Sequence, residues 1–294
     1  MAPKVITSYK DLETSHESIR DGFLLQAASK TKKALPFIER AKAFHRALKP
    51  LRNIDELLKL AEFRDELISA GGFSDKAQSQ LTPQELVYAL KIILGNILKE
   101  SKENFQEEIV YRYLLTKGDT LGGNMRNVTG ATAGLKLIGA IKDRLKSKNI
   151  TFQVEASKKD KVRLISWKNR CLFFDFKPKF IDKNVDVILL DTTGGSLVRK
   201  MLEDGVRYLA CGELKGGIDP AGADEHWKTA SSALSRIRAC FEKTCPHLFF
   251  VGAAIETAMA KEIFAQLENG GLSHAANLNN VDQVTDLVEW LISL

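Results

Sequence analysis

Apolar residues recur three and four positions apart over residues 21–30, 34–49 and 55–70, the spacing of a single buried helix face. In the third run Leu57, Leu60, Ala61, Arg64, Leu67 and Ile68 fall near one stripe, and Gly71-Gly72 supplies the stop. Thr82-Pro83-Gln84-Glu85 predicts a helix start: Thr82 can cap, Pro83 suits the first helical position, and Glu85 can reach back to close a capping box. That helix is expected to run through Leu86, Leu90 and Ile93 to about Lys99, and a further helix is expected over 103–116, ending at Gly118. Residues 118–127 then read as a Gly-rich polar turn, followed by a helix of small residues to about Lys146.

Beyond that turn the pattern changes. Residues 151–155, 162–167 and 171–176 predict strands in a meander, and 185–190 is a compact apolar run. A short helix (197–202) leads to a strand at 208–214. A helix at 225–242, a strand at 247–253, a helix at 258–267 and a last helix from Val281 complete the series. Strands alternating with helices predict an α/β fold with a central mixed sheet covered by helices. The expected organisation is therefore an all-helical domain, 1–117, and an α/β domain, 118–294.

Composition narrows the class. With 44% hydrophobic and 27% charged residues the chain is neither disordered nor fibrous. No apolar run is long enough for a membrane span, and the first residues lack the apolar core of a signal peptide. Cys171, Cys211, Cys240 and Cys245 form no CxxC pair and have no His at zinc-ligand spacing, so reduced thiols in a cytoplasmic protein are expected. A net charge of +6 permits a polyanionic partner without requiring one.

The candidate chemistry lies on two strand ends. Asp186 opens the run Val-Asp-Val-Ile-Leu-Leu, and Glu213-Leu214-Lys215 closes the strand that starts at Tyr208. Residues two apart on a strand share a face, so Glu213 and Lys215 stand side by side. If the two strands are neighbours, Asp186 shares that face. Two carboxylates with the Leu214 carbonyl make a hard oxygen site suited to Mg²⁺. A lysine beside them can orient a water and stabilise charge on a phosphate. The tripeptide alone is weak, because Glu100-Ser101-Lys102 repeats it in a polar helical stretch, and a surface ion pair is the plain alternative. Gly216, Gly217 and Gly222 then allow close backbone approach to a large partner, with Asp224 expected to cap the following helix. His226 in its first turn is either a solvated histidine or a general base near the site.

The segment GELKGGIDPAGADEHWKTA at 212–230 resembles the signature of the BsoBI/AvaI family of type II restriction endonucleases. The resemblance continues in family order through PFIERA at 36–41, SDKA at 74–77, YRYLL at 111–115, residues 118–130, KNVD at 183–186, VGAAIE at 251–256 and SHAANL at 273–278. It implies a restriction-endonuclease-like PD-(D/E)XK core joined to an N-terminal helical, DNA-clamping domain. It further implies a bacterial restriction-modification enzyme, a homodimer that cuts both strands of double-stranded DNA with Mg²⁺. The family's carboxylates fall on Asp186 and Glu213, its catalytic lysine on Lys215 and its active-site histidine on His226. Its base-reading residues fall on Lys76 and Asp219, and its site is the palindrome CYCGRG, cut to leave a 5′ overhang. A lysine donates to guanine O6 or N7 and an aspartate accepts from cytosine N4, which suits such a site. Asn124, Met125 and Arg126 are further expected DNA contacts, against the plain reading of a turn and helix cap. Between Ile150 and Ser166 the chain is shorter than the family pattern. Two other classes remain open: a repair or junction-resolving nuclease on the same core, and a DNA-binding regulator without catalysis. Trp227 and Trp290 read as core, and His16, His45, His247 and His274 carry no assignable role.

Overall fold

The structure, a computed structural model, describes residues 5–193, 198–241 and 245–294. Two compact units make up the chain: residues 1–24 together with 128–294, and residues 25–127. The elements of the first half are helices: α1 (Tyr9–Leu12), α2 (His16–Leu48), α3 (Ile54–Leu58), α4 (Arg64–Ala70), α5 (Asp75–Gln78), α6 (Pro83–Ser101) and α7 (Phe105–Ser147). Within the helical unit Phe44, Leu57, Leu67, Leu90, Leu94, Ile109 and Tyr113 pack into one core.

The start of α6 is built as the sequence predicts. Thr82 Oγ1 accepts from the Glu85 amide, and Glu85 returns a carboxylate oxygen to the Thr82 amide at 2.8 Å. Three expectations need correction. The two helices expected at 21–30 and 34–49 are one helix, α2, with Pro36 inside it. The polar stretch Thr31-Lys32-Lys33 continues it, since lysine is a good helix former and the Thr31 hydroxyl finds an acceptor within the helix at the Ala27 carbonyl. Conversely, the single helix expected over 55–70 is divided. Leu60 leaves helical geometry (φ −70°, ψ 73°), and a 3₁₀ turn at Ala61–Phe63 precedes α4.

The third correction concerns residues 118–127, which are not a turn but the interior of α7. Each glycine costs about 1 kcal/mol against alanine in a helix. Leu121, Met125, Ala133, Leu137, Ile141 and Leu145 are all buried and recur at multiples of four, giving the helix an apolar stripe that outweighs that penalty.

The sheet begins after α7 with β1 (Phe152–Ala156), β2 (Val162–Trp167), β3 (Arg170–Phe176) and β4 (Val185–Asp191). The short stretch between β1 and β2 closes tightly, the Ser157 amide donating to the Lys161 carbonyl at 2.8 Å. Helix α8 (Val198–Met201), β5 (Tyr208–Lys215), α9 (Ala223–Ala239), β6 (His247–Gly252), α10 (Thr257–Glu268), β7 (His274–Asn277) and α11 (Val281–Ser293) follow. The expected start of α8 at Leu197 and the expected end of α9 at Glu242 lie outside the described residues.

Among the described residues the sheet has seven strands in sequential order, antiparallel from β1 to β5 and parallel from β5 to β7. Both faces are covered, which explains the almost continuous apolar run of β4. Ile188, Cys211 and Phe250 pack with Trp227, Leu234, Met259 and Ile263 on one face. Val187, Leu189, Ala210 and Phe249 pack with Leu137, Ile141, Leu287 and Trp290 on the other. Trp227 and Trp290 are core, as their neighbours indicated. Strand β7 was not anticipated: His-Ala-Ala-Asn has neither β-branched residues nor alternation. No described helix is long and apolar enough to cross a membrane, and the four cysteines form no disulfide.

Candidate active site at the ends of β4 and β5

Strands β4 and β5 are neighbours, with Val187 opposite Gly212 and Ile188 opposite Cys211. Continuing that register by one position puts Asp186 opposite Glu213. The side chains meet accordingly. Lys215 Nζ lies 3.0 Å from Glu213 Oε2 and 4.0 Å from Asp186 Oδ2. Asp186 Oδ2 also accepts from the Leu214 amide at 2.8 Å, which fixes the carboxylate against the β5 backbone. Leu214 itself packs on the opposite core, as strand alternation requires.

The electrostatics of this cluster are unbalanced. Glu213 is only 4% exposed. Burial, reinforced by the Asp186 charge and opposed by the Lys215 ammonium, pushes its carboxyl up to about 7. Two carboxylates share one lysine, so the site is short of positive charge. Hard oxygen donors around such a deficit fit a divalent cation of the Mg²⁺ type. Among the described residues no group of three or more His, Cys, Asp or Glu side chains converges on one point, so Asp186 and Glu213 stand without a third such side chain.

The loop after β5 is held closely. Lys215 accepts at its carbonyl from the Ala253 amide, 2.9 Å away, which ties the end of β5 to the end of β6. A Cβ on Gly216 would lie 2.6 Å from both Ala133 Cβ and the Thr129 carbonyl, so only glycine lets α7 pack this tightly here. His226 stands on the first turns of α9, half-buried. A Cβ on Gly217 would come within 2.7 Å of its Nε2, so the imidazole lies along the loop backbone. Asp224 is not the cap of α9, which starts from Gly222 without a side-chain cap; Asp224 lies in the first turn and pairs with Lys228. Asp219 is exposed and accepts from the Ala221 amide at 3.0 Å, starting a short 3₁₀ turn.

The remaining sequence candidates lie in the helical unit. Lys76 is exposed on α5. Asn124 is exposed on α7, whereas Met125 is 2% exposed, its side chain part of the packed interior. The Arg126 side chain lies outside the described residues. The structure thus joins Asp186, Glu213 and Lys215 directly and sets His226 on the first turn of α9, against the loop that follows β5.

Sequence reasoning missed the support behind the cluster. Ala253 accepts at its carbonyl from Asn279 Nδ2 at 2.7 Å and from Thr14 Oγ1 at 3.2 Å. Asn279 Oδ1 in turn accepts from Lys136 Nζ at 3.1 Å. These residues are far apart in sequence, so no local pattern could have grouped them. The nearest signal was the SHAANL island, whose last residue, Leu278, precedes Asn279.

The fold and this cluster define an α/β protein with opposed carboxylates and a lysine at one end of a mixed sheet. A family model described as restriction endonuclease BsobI matches residues 3–294. The type II restriction enzyme AvaI of Nostoc sp. is 40% identical over 309 residues, covering 98% of each chain, and AvaI of Anabaena variabilis matches equally. The type II restriction enzyme BsoBI of Geobacillus stearothermophilus is 39% identical over 313 residues, covering 98% of this chain and 97% of its own. The chain belongs to this family of type II restriction endonucleases.

Proposed function

We propose that the chain is a Mg²⁺-dependent endonuclease of the PD-(D/E)XK type. It cuts both strands of duplex DNA in the bacterial cytoplasm at a short palindrome, the family site CYCGRG, leaving a 5′ overhang. The observation that supports this most is the cluster of Asp186, Glu213 and Lys215. Asp186, Glu213 and the Leu214 carbonyl would hold the metal. When bound, Mg²⁺ supplies Lewis-acid polarisation of the scissile phosphate and lowers the pKa of a water.

The chain's own residues account for the rest. The Lys215 ammonium, held 3.0 Å from Glu213, orients the attacking water and stabilises the negative charge that develops on phosphate. His226 takes the water's proton. Lys76 and Asp219 read base edges, Asn124 and Arg126 contact DNA, and the helical domain clamps the duplex. Two copies related by a two-fold axis would present one such site to each strand of a palindrome.

The test is digestion of DNA of known sequence with Mg²⁺, followed by sequencing of the fragment ends. Discrete fragments ending at CYCGRG are expected from the wild type. The Lys215→Ala variant is expected to lose cleavage by at least about 10²–10³-fold, the cost of removing one transition-state donor, while keeping duplex binding. Binding without cutting would replace the proposal by a regulator, and nicking that follows DNA structure rather than sequence would replace it by a repair or junction nuclease.

A further inference from the structure

The parallel strands β5, β6 and β7 end together. Lys215 is opposite Gly252 and Gly252 is opposite Asn277, so the three strand ends form one edge of the nuclease unit. Adjacent strands lie about 4.8 Å apart, which puts the end of β7 about 10 Å from the end of β5. Asn279 follows β7 by two residues and is held from two directions. Its amide hydrogen goes to Asn277 Oδ1 at 2.9 Å and its Nδ2 to the Ala253 carbonyl at 2.7 Å. Those bonds leave its Oδ1 facing α7, where Lys136 Nζ donates to it at 3.1 Å.

Lys136 lies on α7 one turn beyond the residues that press on Gly216. It is exposed, and among the described residues no carboxylate lies within 4.0 Å of its ammonium. The only partner shown is a neutral amide oxygen, which fixes the lysine's direction without neutralising it. Although the residue as a whole is exposed, the protein around its ammonium removes some of its water and pulls it below the usual lysine value, with no acid offsetting the loss. A cation oriented at such a cost beside a cleavage cluster is suited to receive an anion. Duplex DNA offers one negative charge per about 3.4 Å along each strand, so a backbone engaged at Lys215 has phosphates within reach of Lys136.

We infer that Lys136, oriented by Asn279, is a DNA-backbone contact that binds a phosphodiester beside the one being cut. This rests on the nuclease reading above. Because the contact is to phosphate, it carries affinity and not sequence preference. The bonded path Lys136–Asn279–Ala253–Lys215 also sets this contact in a fixed register with the catalytic strand.

The test measures binding of the full-length protein to two duplexes, one containing CYCGRG and one not. EDTA is present so that neither is cut, and salt is varied from about 50 to about 200 mM. For Lys136→Ala the slope of log affinity against log salt should shrink by about 0.9 per bound protomer, with affinity at about 0.1 M salt falling about eightfold per contact on both duplexes. Lys136→Arg should restore most of both. Asn279→Ala should weaken binding on both duplexes in the same direction. Thermal midpoints of the variants, unchanged from wild type, establish that the loss is not unfolding. Unaltered affinity and slope in Lys136→Ala, with a wild type that binds and cuts, would overturn this assignment alone. A cleavage rate reduced at saturating DNA with normal binding would overturn it too, leaving Lys136 as a support for Lys215. A wild type that neither binds nor cuts duplex DNA overturns the nuclease reading and this one together.

Discussion

Glu213 sits with its carboxyl pushed up to about 7, above the 4.5 of an ordinary glutamate. Between those values the folded protein holds a proton that the unfolded chain has released. The glutamate's contribution to stability is therefore greatest below about pH 4.5 and is lost as pH rises through about 7, at about 1.4 kcal/mol per pH unit of displacement. Glu213→Gln carries no such proton. In metal-free buffer the wild-type thermal midpoint should fall relative to Glu213→Gln as pH is raised from about 5 to about 8. Mg²⁺ should raise the wild-type midpoint and leave the variant nearly unmoved, since the cation replaces the proton. Parallel curves for the two proteins would remove Glu213 as the buried acid of the site. At this scale Asp186, Glu213 and Lys215 were legible because strand parity and one register fix their positions. Lys136 and Asn279 were not, because their bond spans 143 positions of sequence and depends on the finished sheet.

Among the elements, α7 shows where local preference misleads. Gly118, Gly122 and Gly123 argue for a turn, yet the four-residue apolar repeat keeps the helix intact. Those glycines differ in what surrounds them, and that difference is testable. A Cβ at Gly122 meets nothing within 4 Å, so Gly122→Ala should stabilise the protein by about 0.5–1 kcal/mol through helix propensity. Gly216, on the facing loop, has the Thr129 carbonyl at 2.6 Å from an added Cβ, and backbone cannot yield cheaply. Gly216→Ala should cost about 1–3 kcal/mol as an overpacked contact, and cleavage should fall with it because Lys215 is the preceding residue. Urea unfolding of the two variants should give opposite signs. Strand β7 escaped notice for a related reason: four small or polar residues become a strand only because β6 offers an edge to pair with.

For the whole molecule, charge and surface carry the argument. A protomer of +6 would give the proposed dimer +12 (twice +6), a field that favours approach to duplex DNA. Helix α2 leaves Leu24, Leu25 and Leu35 exposed at 62%, 73% and 53%. Sedimentation equilibrium should return about 65.4 kDa, twice the 32.7 kDa chain. A value of 32.7 kDa at micromolar concentration would dismiss the dimer.

The segment 11–14 is clasped by residues far along the sequence, Asn277 lying 265 positions beyond Leu12. Asn277 Nδ2 donates to the Leu12 carbonyl and to Thr14 Oγ1, and Gln283 Nε2 donates to the Asp11 carbonyl. Asn279 closes the same network on Ala253 and so on Lys215. During synthesis none of these bonds can form until residues 277–283 have left the ribosome. A chain that stops after β5 carries Asp186, Glu213 and Lys215 but lacks the residues that brace the end of β5 through Ala253. On the proposed reading, the order of synthesis withholds the brace behind the cleavage cluster until β7 and the start of α11 have emerged.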